Sequence, residues 1–300
     1  MGISKEDQAV VDEFVEAAKN GDLTTVRRLL PELNGKTEGG DTALHAAAQR
    51  GHVDVVEEIL KQGRALESDA RDADDATPLM LAAGQGHFEV VHKLCRSGAN
   101  PNHVDRMGWT PLHYAAAGGH SLVVSFLIGK CKKDVLFDRD TSGCSPLWLA
   151  ASSGDPETVR LLLLQGADPD EVNGESVSVF EAAREVEVED DEGEAKIDAI
   201  VEMLSVASDR WTEERRKQGQ PEPDHEALED RPATVLDGTM DGPSIPVGDE
   251  GQPFLNQDAK EKLLDEVDLE AVRVKVIEAL KLEDAFVETY LKGNMETVEL

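Results

Sequence analysis

A short helix with its own start and stop signals recurs four times in the sequence, 33 to 35 residues apart. Each copy opens with a hydroxyl residue, whose side chain can accept a hydrogen bond from a free backbone N–H at a helix start. Three copies then place proline at the first helical position, where its missing N–H is not needed. A glycine nine residues after each opener can adopt the left-handed conformation that ends a helix. The openers are Thr42, Thr77, Thr110 and Ser145, and the glycines are Gly51, Gly86, Gly119 and Gly154.

A second helix is predicted after each glycine, because apolar residues follow it at the spacing i, i+3 and i+4. In the third copy these residues are Val124, Leu127 and Ile128. Two copies then end in a glycine followed by Asn or Asp residues that suit a turn, at residues 98–102 and 166–170. The sequence therefore predicts a unit of two short helices and a turn, repeated four times.

Aligned in this way, the sequence resembles the ankyrin-repeat family. The resemblance rests on the opener Thr-Pro-Leu-His-x-Ala-Ala, best preserved between Gly108 and Gly119, and on the Gly-His pair, the Val-Val-x-x-Leu-Leu pattern and the Gly-Ala-Asp/Asn exit. It covers roughly residues 8 to 204. It implies an all-α repeat fold, an ankyrin-repeat solenoid of helix–turn–helix units with projecting hairpin loops. It also implies that loop tips and first helices form a concave, partner-binding face.

Two degenerate copies are predicted to cap the four clear repeats, which completes an ankyrin-repeat domain at residues 1–205. The front cap spans about residues 8–34, with Asp12 at the opener position. The rear cap spans about residues 172–205 and opens at Ser178. An acidic insert from Glu187 to Glu194 replaces its Gly-His pair, either as a solvated charge run or as a contact for a basic partner.

The C-terminal third is expected to be an acidic and mostly disordered region. Residues 206–256 form a Pro/Gly/acidic linker, with too few large apolar side chains to offset the entropy of ordering, although the last helix can continue to about Lys217. Residues 257–293 are predicted to form an amphipathic helical segment. That segment could dock on the repeats, self-associate, lie in a partner groove or stay solvated.

The formal net charge of −32 over 300 residues excludes several classes of partner. It argues against bare nucleic acid and anionic membranes, because phosphates attract Lys and Arg. It favours a basic partner protein. The three cysteines lack the close spacing of a disulfide framework or a zinc site, so a reducing compartment, cytoplasmic or nuclear, is expected. Neither an apolar signal core nor an apolar run of membrane-spanning length is present.

Histidines are the strongest candidates for catalytic or metal-binding residues in this sequence, but a structural role is predicted for them. Five occupy repeat positions, where the family resemblance implies hydrogen bonds to backbone groups: His45, His52, His87, His113 and His120. No phosphate-binding loop, nucleophile elbow or zinc-protease motif occurs, and the acidic cluster at 189–192 lacks calcium-loop spacing. We therefore predict no catalytic residue, cofactor or metal site, and no enzyme activity.

The function predicted from these features is an acidic ankyrin adaptor, scaffold or chaperone-like module that binds a basic protein as a monomer. Irregular loop positions and aromatic residues are the candidate partner contacts, although drift on exposed loops would explain the irregularities equally. The candidates are Asp72, Asp74, Asp75, Asp105, Arg106, Met107, Trp109, Tyr114, Asp138, Arg139, Asp140 and Trp148.

Two alternatives concern the C-terminal third. One is a regulatory inhibitor or degradation adaptor that uses the Pro/Glu/Asp-rich stretch at residues 220–251. The other is an unfamiliar enzyme, which a short Pro/Gly-rich segment with the single histidine His225 disfavours. Self-association through residues 257–293 is the route by which the monomer could become an oligomer.

Overall fold

The computed structural model describes residues 5–30, 36–37, 39–61, 68–131, 136–188 and 190–217. Within these ranges the chain forms twelve helices, and a single isolated β-bridge joins Val172 and Ser178. The helices are α1 (Lys5–Lys19), α2 (Leu23–Leu29), α3 (Ala43–Arg50), α4 (Val53–Lys61), α5 (Pro78–Gly84), α6 (Phe88–Arg96), α7 (Pro111–Ala117), α8 (Ser121–Ile128), α9 (Pro146–Ser153), α10 (Pro156–Leu164), α11 (Val179–Arg184) and α12 (Asp191–Lys217).

The helices lie in two layers. The inner layer contains α1, α3, α5, α7, α9 and α11, and each of these packs against the next in chain order. The outer layer contains α2, α4, α6, α8, α10 and α12, packed in the same sequence. Each inner helix also contacts the outer helix that follows it. This arrangement is the stack of helix–turn–helix units that the 33-to-35-residue period predicted, and it confirms the expected fold class.

Each predicted opener begins an inner helix. The hydroxyl oxygens of Thr42, Thr110 and Ser145 accept hydrogen bonds from the backbone N–H three residues later, at 3.4, 3.3 and 3.1 Å. These openers have extended backbone, and the helix begins at the next residue. Capping of this kind satisfies a donor that has no partner inside the helix, so the opener sets the helix boundary.

A leucine two residues after each opener forms the centre of each repeat. The four are completely buried between the two layers and belong to one continuous core. Burying such a side chain stabilises a fold by about 1.5–3 kcal/mol. They are Leu44, Leu79, Leu112 and Leu147.

Glycine and histidine join consecutive repeats. Gly86 has φ +71°, and a Cβ at this position would lie 2.6 Å from Nδ1 of His120. That ring closes onto the preceding repeat, where its Nε2 donates to the Gly84 carbonyl at 3.0 Å. His52 and His87 bond the carbonyls of Lys19 and Gln49 in the same way, at 2.9 and 3.1 Å. Glycine is required here because a side chain would be strained by the backbone and would collide with the ring.

The ends of the stack differ from the predicted boundaries. Asp12 does not open the front cap: it lies within α1, which begins at Lys5. The spacing of Val11, Phe14, Val15 and Ala18 explains this, because it places one apolar stripe of a continuous helix against the core.

The rear end also departs from the repeat. The last helix, α12, begins at Asp191 inside the acidic insert and runs to Lys217. Its first turn contains Asp191, Glu192 and Glu194, and carboxylates are favourable there because of the helix dipole. The helix therefore occupies the first residues of the predicted linker. The rest of the linker, residues 220–251 and the predicted segment at 257–293 lie outside the described residues.

Candidate protein-binding surface

An Asp or Asn side chain closes each of four hairpins between consecutive inner helices. In the third repeat, Oδ1 of Asp105 accepts from the backbone N–H groups of Met107 and Trp109, both at 2.8 Å. The same pair of bonds recurs in the other hairpins at 2.8–2.9 Å. The four residues are Asp72, Asp105, Asp140 and Asn173. Each of them lies the same number of residues before its helix opener. This constant spacing is a signal in the sequence that identifies them as turn residues.

The hairpin tips are joined edge to edge. Backbone N–H groups of Ala73, Arg106, Thr141 and Gly174 donate to a carbonyl of the preceding hairpin, at 2.8 to 3.2 Å. One ion pair adds to this row, between Nε of Arg106 and Oδ2 of Asp75 at 3.3 Å. Both side chains are largely solvated, so the pair contributes little to stability. Asp75 has φ +62° and replaces the turn glycine seen in the neighbouring repeat.

Two predicted contact residues belong to the scaffold instead. Asp105 and Asp140 are only 3% and 4% exposed. Oδ2 of Asp105 accepts from the Tyr114 hydroxyl at 2.8 Å, and Oδ2 of Asp140 accepts from Trp109 Nε1 at 2.8 Å. Because both oxygens of each carboxylate already accept hydrogen bonds, these residues position other side chains and do not face a partner.

The two side chains that they position, Trp109 and Tyr114, form a small aromatic surface. We call these two residues, together with Met107 in the same hairpin as Trp109, the tip cluster. The Trp109 and Tyr114 rings meet edge to face, with centroids 5.2 Å apart and planes at 75°. Tyr114 also covers Gly84 of the previous inner helix, where a Cβ would lie 3.0 Å from its ring. Burial and the Asp105 carboxylate raise the pKa of Tyr114, so its hydroxyl stays protonated and donates.

Met107 is the most exposed large apolar side chain in the described part of the chain, at 55%. Trp109 and Tyr114 beside it are half-buried. Among the acidic side chains of the hairpins, Asp74 and Asp138 are exposed and Asp75 is partly so. The tip cluster thus combines one exposed apolar side chain with two aromatic rings whose polar atoms are bonded to buried carboxylates.

The fourth repeat presents a different surface. Trp148 stands where two other repeats have histidine, and its Nε1 donates to the Val177 carbonyl at 3.0 Å. Arg139 is turned toward its own hairpin and the next, with Nη1 donating to the carbonyls of Gly143 and Val172. Its Nη2 lies 3.3 Å from the Glu171 carboxylate. Burial raises the pKa of Glu171 to about 7, while Arg139 and the Ser145 hydroxyl favour its charged form.

The histidines three residues after the helix openers, His45 and His113, are each held in one tautomer by their hydrogen bonds. Nε2 of His113 faces the Asp138 carbonyl at 3.1 Å and must donate to it, so Nδ1 is left to accept from the Thr110 N–H at 3.2 Å. Burial lowers the pKa of His113 to about 4, which keeps the ring neutral. His45 repeats this geometry with Thr42 and the Ala76 carbonyl. The hydrogen-bonding role predicted for these histidines is therefore confirmed.

Within the described ranges, His, Cys, Asp and Glu nowhere form a group of three that could hold a metal ion. Within the same ranges, none of the helices combines the length and apolarity needed to cross a membrane.

Comparison with known proteins identifies the repeat. The family model described as "Ankyrin repeats (3 copies)" matches residues 14–105 and 93–173, more than half of the chain. The chain is 35% identical to the ankyrin repeat and KH domain-containing protein mask-1 of Caenorhabditis elegans, over 48% of its length and 5% of the relative.

Two further relatives are named for enzyme activities. The chain is 34% identical to the tyrosine-protein kinase Shark of Drosophila melanogaster, over 53% of its length and 17% of the relative. It is 31% identical to the E3 ubiquitin-protein ligase KEG of Arabidopsis thaliana, over 59% of its length and 9% of the relative. The chain thus spans only a small part of these relatives. The period, the capped inner helices and the family match together show that this chain belongs to the ankyrin-repeat family, whose fold is a protein–protein interaction module.

Proposed function

We propose that this protein is a non-catalytic adaptor that binds a basic partner protein through its hairpin tips and inner helices. The observation that carries the proposal is the tip cluster. It combines an exposed thioether, two residues before Trp109 in the chain, with two aromatic rings whose polar atoms are already bonded to buried carboxylates. Rigid aromatic side chains lose little conformational entropy on binding, so they are well suited to anchor a partner.

The charge around the tip cluster supports a basic partner. Arg106 is the cation nearest to Met107 in sequence, and the Asp75 carboxylate already pairs with it. Asp74 and Asp138 add exposed carboxylates in the hairpins before and after that of Arg106. The net charge of −32 has the same sign, and it would draw Lys/Arg-rich proteins to the surface before contact. We further propose that the protein is a monomer and that it acts in the cytoplasm or nucleus.

A pair of single substitutions tests the anchor. Met107→Ser removes the exposed thioether, and Val206→Ser makes a comparable change at a side chain that is 39% exposed on α12. Proximity labelling in the source cell would be compared between the full-length wild type and each variant. We expect Met107→Ser to lose partners that Val206→Ser retains. Equal labelling by all three chains would show that the tip cluster is not the binding surface.

A second pair of variants tests the charge. Asp74→Asn with Asp138→Asn neutralises the exposed tips, while Asp54→Asn with Asp198→Asn changes charge equally on exposed positions of the outer helices. With a partner recovered in the first experiment, the tip variant should slow association and flatten its dependence on salt. Recovered partners without a basic bias, or equal effects of the two variants, would contradict the basic-partner proposal.

A further inference from the structure

The outer layer holds a concentration of positive charge that the acidic adaptor function does not use. Lys93 and Arg96 lie in the last turn of α6, and Lys130 follows α8. We call these three residues the outer cationic cluster. They surround an aromatic group in which the Phe126 ring meets Phe88 and His92 edge to face, at 5.7 and 5.6 Å. Nζ of Lys130 lies 5.6 Å from the centroid of the Phe126 ring.

Few carboxylates balance this charge. Glu57 pairs with both Lys93 and Lys61, so one carboxylate serves two lysines. Among the described residues, Arg96 and Lys130 are exposed and have no carboxylate within ion-pair distance. His92 responds to the resulting potential, because burial and then Arg96, Lys93 and Lys130 all lower its pKa.

A groove adjoins the outer cationic cluster. It has a volume of about 320 Å³ and lies between α4 and α6, where Leu60, His92 and three cations line it together with the carboxylates of Glu57 and Glu89. The cations are Lys61, Lys93 and Arg96, so they outnumber the carboxylates in the lining. α8, on the other side of α6, has no charged residue. The surface therefore offers cations beside apolar side chains, which suits an extended segment that carries several carboxylates and an occasional apolar residue.

The chain itself contains such a segment. Residues 221–230, Pro-Glu-Pro-Asp-His-Glu-Ala-Leu-Glu-Asp, hold five carboxylates and neither Lys nor Arg. Residues 261–270, the next acidic stretch, include Lys262 among their carboxylates. We propose that residues 221–230 bind the outer cationic cluster of the same molecule, with their carboxylates at Lys93, Arg96 and Lys130.

The length of the chain allows this contact. α12 ends at Lys217, and residues 222–230 can reach between about 17 and 45 Å from it in extended conformation. The outer layer runs α12, α10, α8, α6, so α8 and α6 lie two and three helix spacings away, or roughly 20 to 30 Å. Because every unit repeats the same helix–turn–helix order, we expect α12 to run in the same sense as α6 and α8. Its 27 residues, against nine and eight, carry Lys217 beyond the ends of those helices, and the upper limit of the reach, about 45 Å, still allows the contact.

Binding there would cover the outer cationic cluster and leave the concave face open. The tip cluster and the outer cationic cluster belong to opposite layers, so this proposal does not depend on the adaptor function. The segment would neutralise the part of the outer layer that could attract anionic molecules.

Carbodiimide coupling of the full chain tests the proposal, because it joins a lysine amine to a carboxylate only when the two are in contact. Mass spectrometry would locate the products in a mixture of unlabelled and ¹⁵N-labelled chains. We expect links from Lys93 and Lys130 to residues 222–230 within single molecules, at least about fivefold more abundant than links from Lys19, an exposed lysine on α1. High salt should reduce them several-fold, since screening weakens contacts between exposed charges.

Arg96→Ala is the diagnostic variant, because it removes a cation while leaving every coupled group in place. It should lower the Lys130 links several-fold, whereas Arg50→Ala, at an exposed arginine on α3, should not. Links that join two copies would overturn the proposal in favour of association between molecules. Links spread evenly over the acidic residues, or unchanged by Arg96→Ala and by salt, would overturn it altogether.

Discussion

His113 lies buried at the start of α7, with its Nε2–H donated to the Asp138 carbonyl and its Nδ1 accepting from Thr110. Its pKa in the folded protein is about 4, against an ordinary value of 6.5. As the pH falls below about 6.5, the unfolded chain therefore binds the proton first. The contribution of His113 to stability is complete above pH 6.5 and is lost progressively as the pH falls toward 4.

His113→Met should remove this dependence, because Met80 occupies the equivalent position in α5 and is fully buried there. The variant loses hydrogen bonds, so we expect it to be less stable than the wild type at pH 7. The difference should shrink by roughly 1–3 kcal/mol between pH 7 and pH 4.5. Urea denaturation across this range measures it. A difference that stays constant with pH would show that His113 is protonated equally in both states.

Asp105 provides the second prediction for a single residue. Its carboxylate accepts from Met107 N, Trp109 N and the Tyr114 hydroxyl. Asp105→Ala leaves these part-buried donors without their carboxylate partner and should lower the free energy of unfolding by about 2–4 kcal/mol. Asp105→Asn should cost less, since Asn173 closes its own hairpin with the same two backbone bonds. Equal losses in the two variants, measured by denaturation, would contradict this role for the Oδ1 atom.

The sequence could predict the candidate surface only in part. It placed Asp105 and Asp140 in loops, and a loop aspartate at a projecting tip is a reasonable partner contact. Their burial depends on Trp109 and Tyr114, whose polar atoms reach carboxylates 31 and 9 residues away along the chain. The Trp109–Asp140 pair is set by the stacking of neighbouring repeats and the Tyr114–Asp105 pair by the folding of one hairpin against its own helix, so one sequence does not show them. The sequence does show that Asp72, Asp105, Asp140 and Asn173 recur at a constant distance before the helix openers. This recurrence identifies them as turn residues.

At the level of the helices, local signals fixed most boundaries. Each opener predicted the first residue of its inner helix because the capping hydroxyl acts within three residues of itself. The ends of the stack lacked such signals. α1 extends through Asp12 because its apolar stripe continues on both sides of that residue. α12 begins at Asp191, inside the acidic insert, although its end at Lys217 is where the sequence allowed the last helix to continue. Where tertiary packing sets the length of a helix, a repeat pattern misplaces its ends.

Leu112→Ala tests the packing of an inner helix. Leu112 is completely buried in α7, so removing it should cost about 2–5 kcal/mol, the range for large-to-small changes in a core. Leu122→Ala makes the same chemical change on the neighbouring helix α8, where the side chain is only half-buried. We expect the cost at Leu122 to be less than half of that at Leu112. Similar losses in chemical denaturation would mean that the two leucines share the same environment, contrary to this fold.

At the scale of the whole molecule, the stack is nearly one-dimensional. Within the described residues, each inner helix packs chiefly against the inner helices before and after it, whereas each outer helix packs against its own inner helix and the outer helices beside it. Stability in such an array is approximately the sum of contributions from each repeat and from each interface between neighbours. A local defect should therefore have different consequences at the end and in the middle of the stack. At an end, only one interface couples the damaged unit to the rest.

A comparison of the Ile200→Ala and Leu112→Ala variants makes this difference measurable. Ile200 is fully buried in α12, and α12 contacts α10 and α11 at the end of the described stack. Hydrogen exchange of the Ile200→Ala variant should accelerate in α11 and α12 while α5 to α8 keep their protection, because the last unit can open alone. Leu112→Ala should lower protection on both sides of α7, since that repeat joins the two halves. Uniform acceleration along the array in the Ile200→Ala variant would instead mean that the stack unfolds as one cooperative unit.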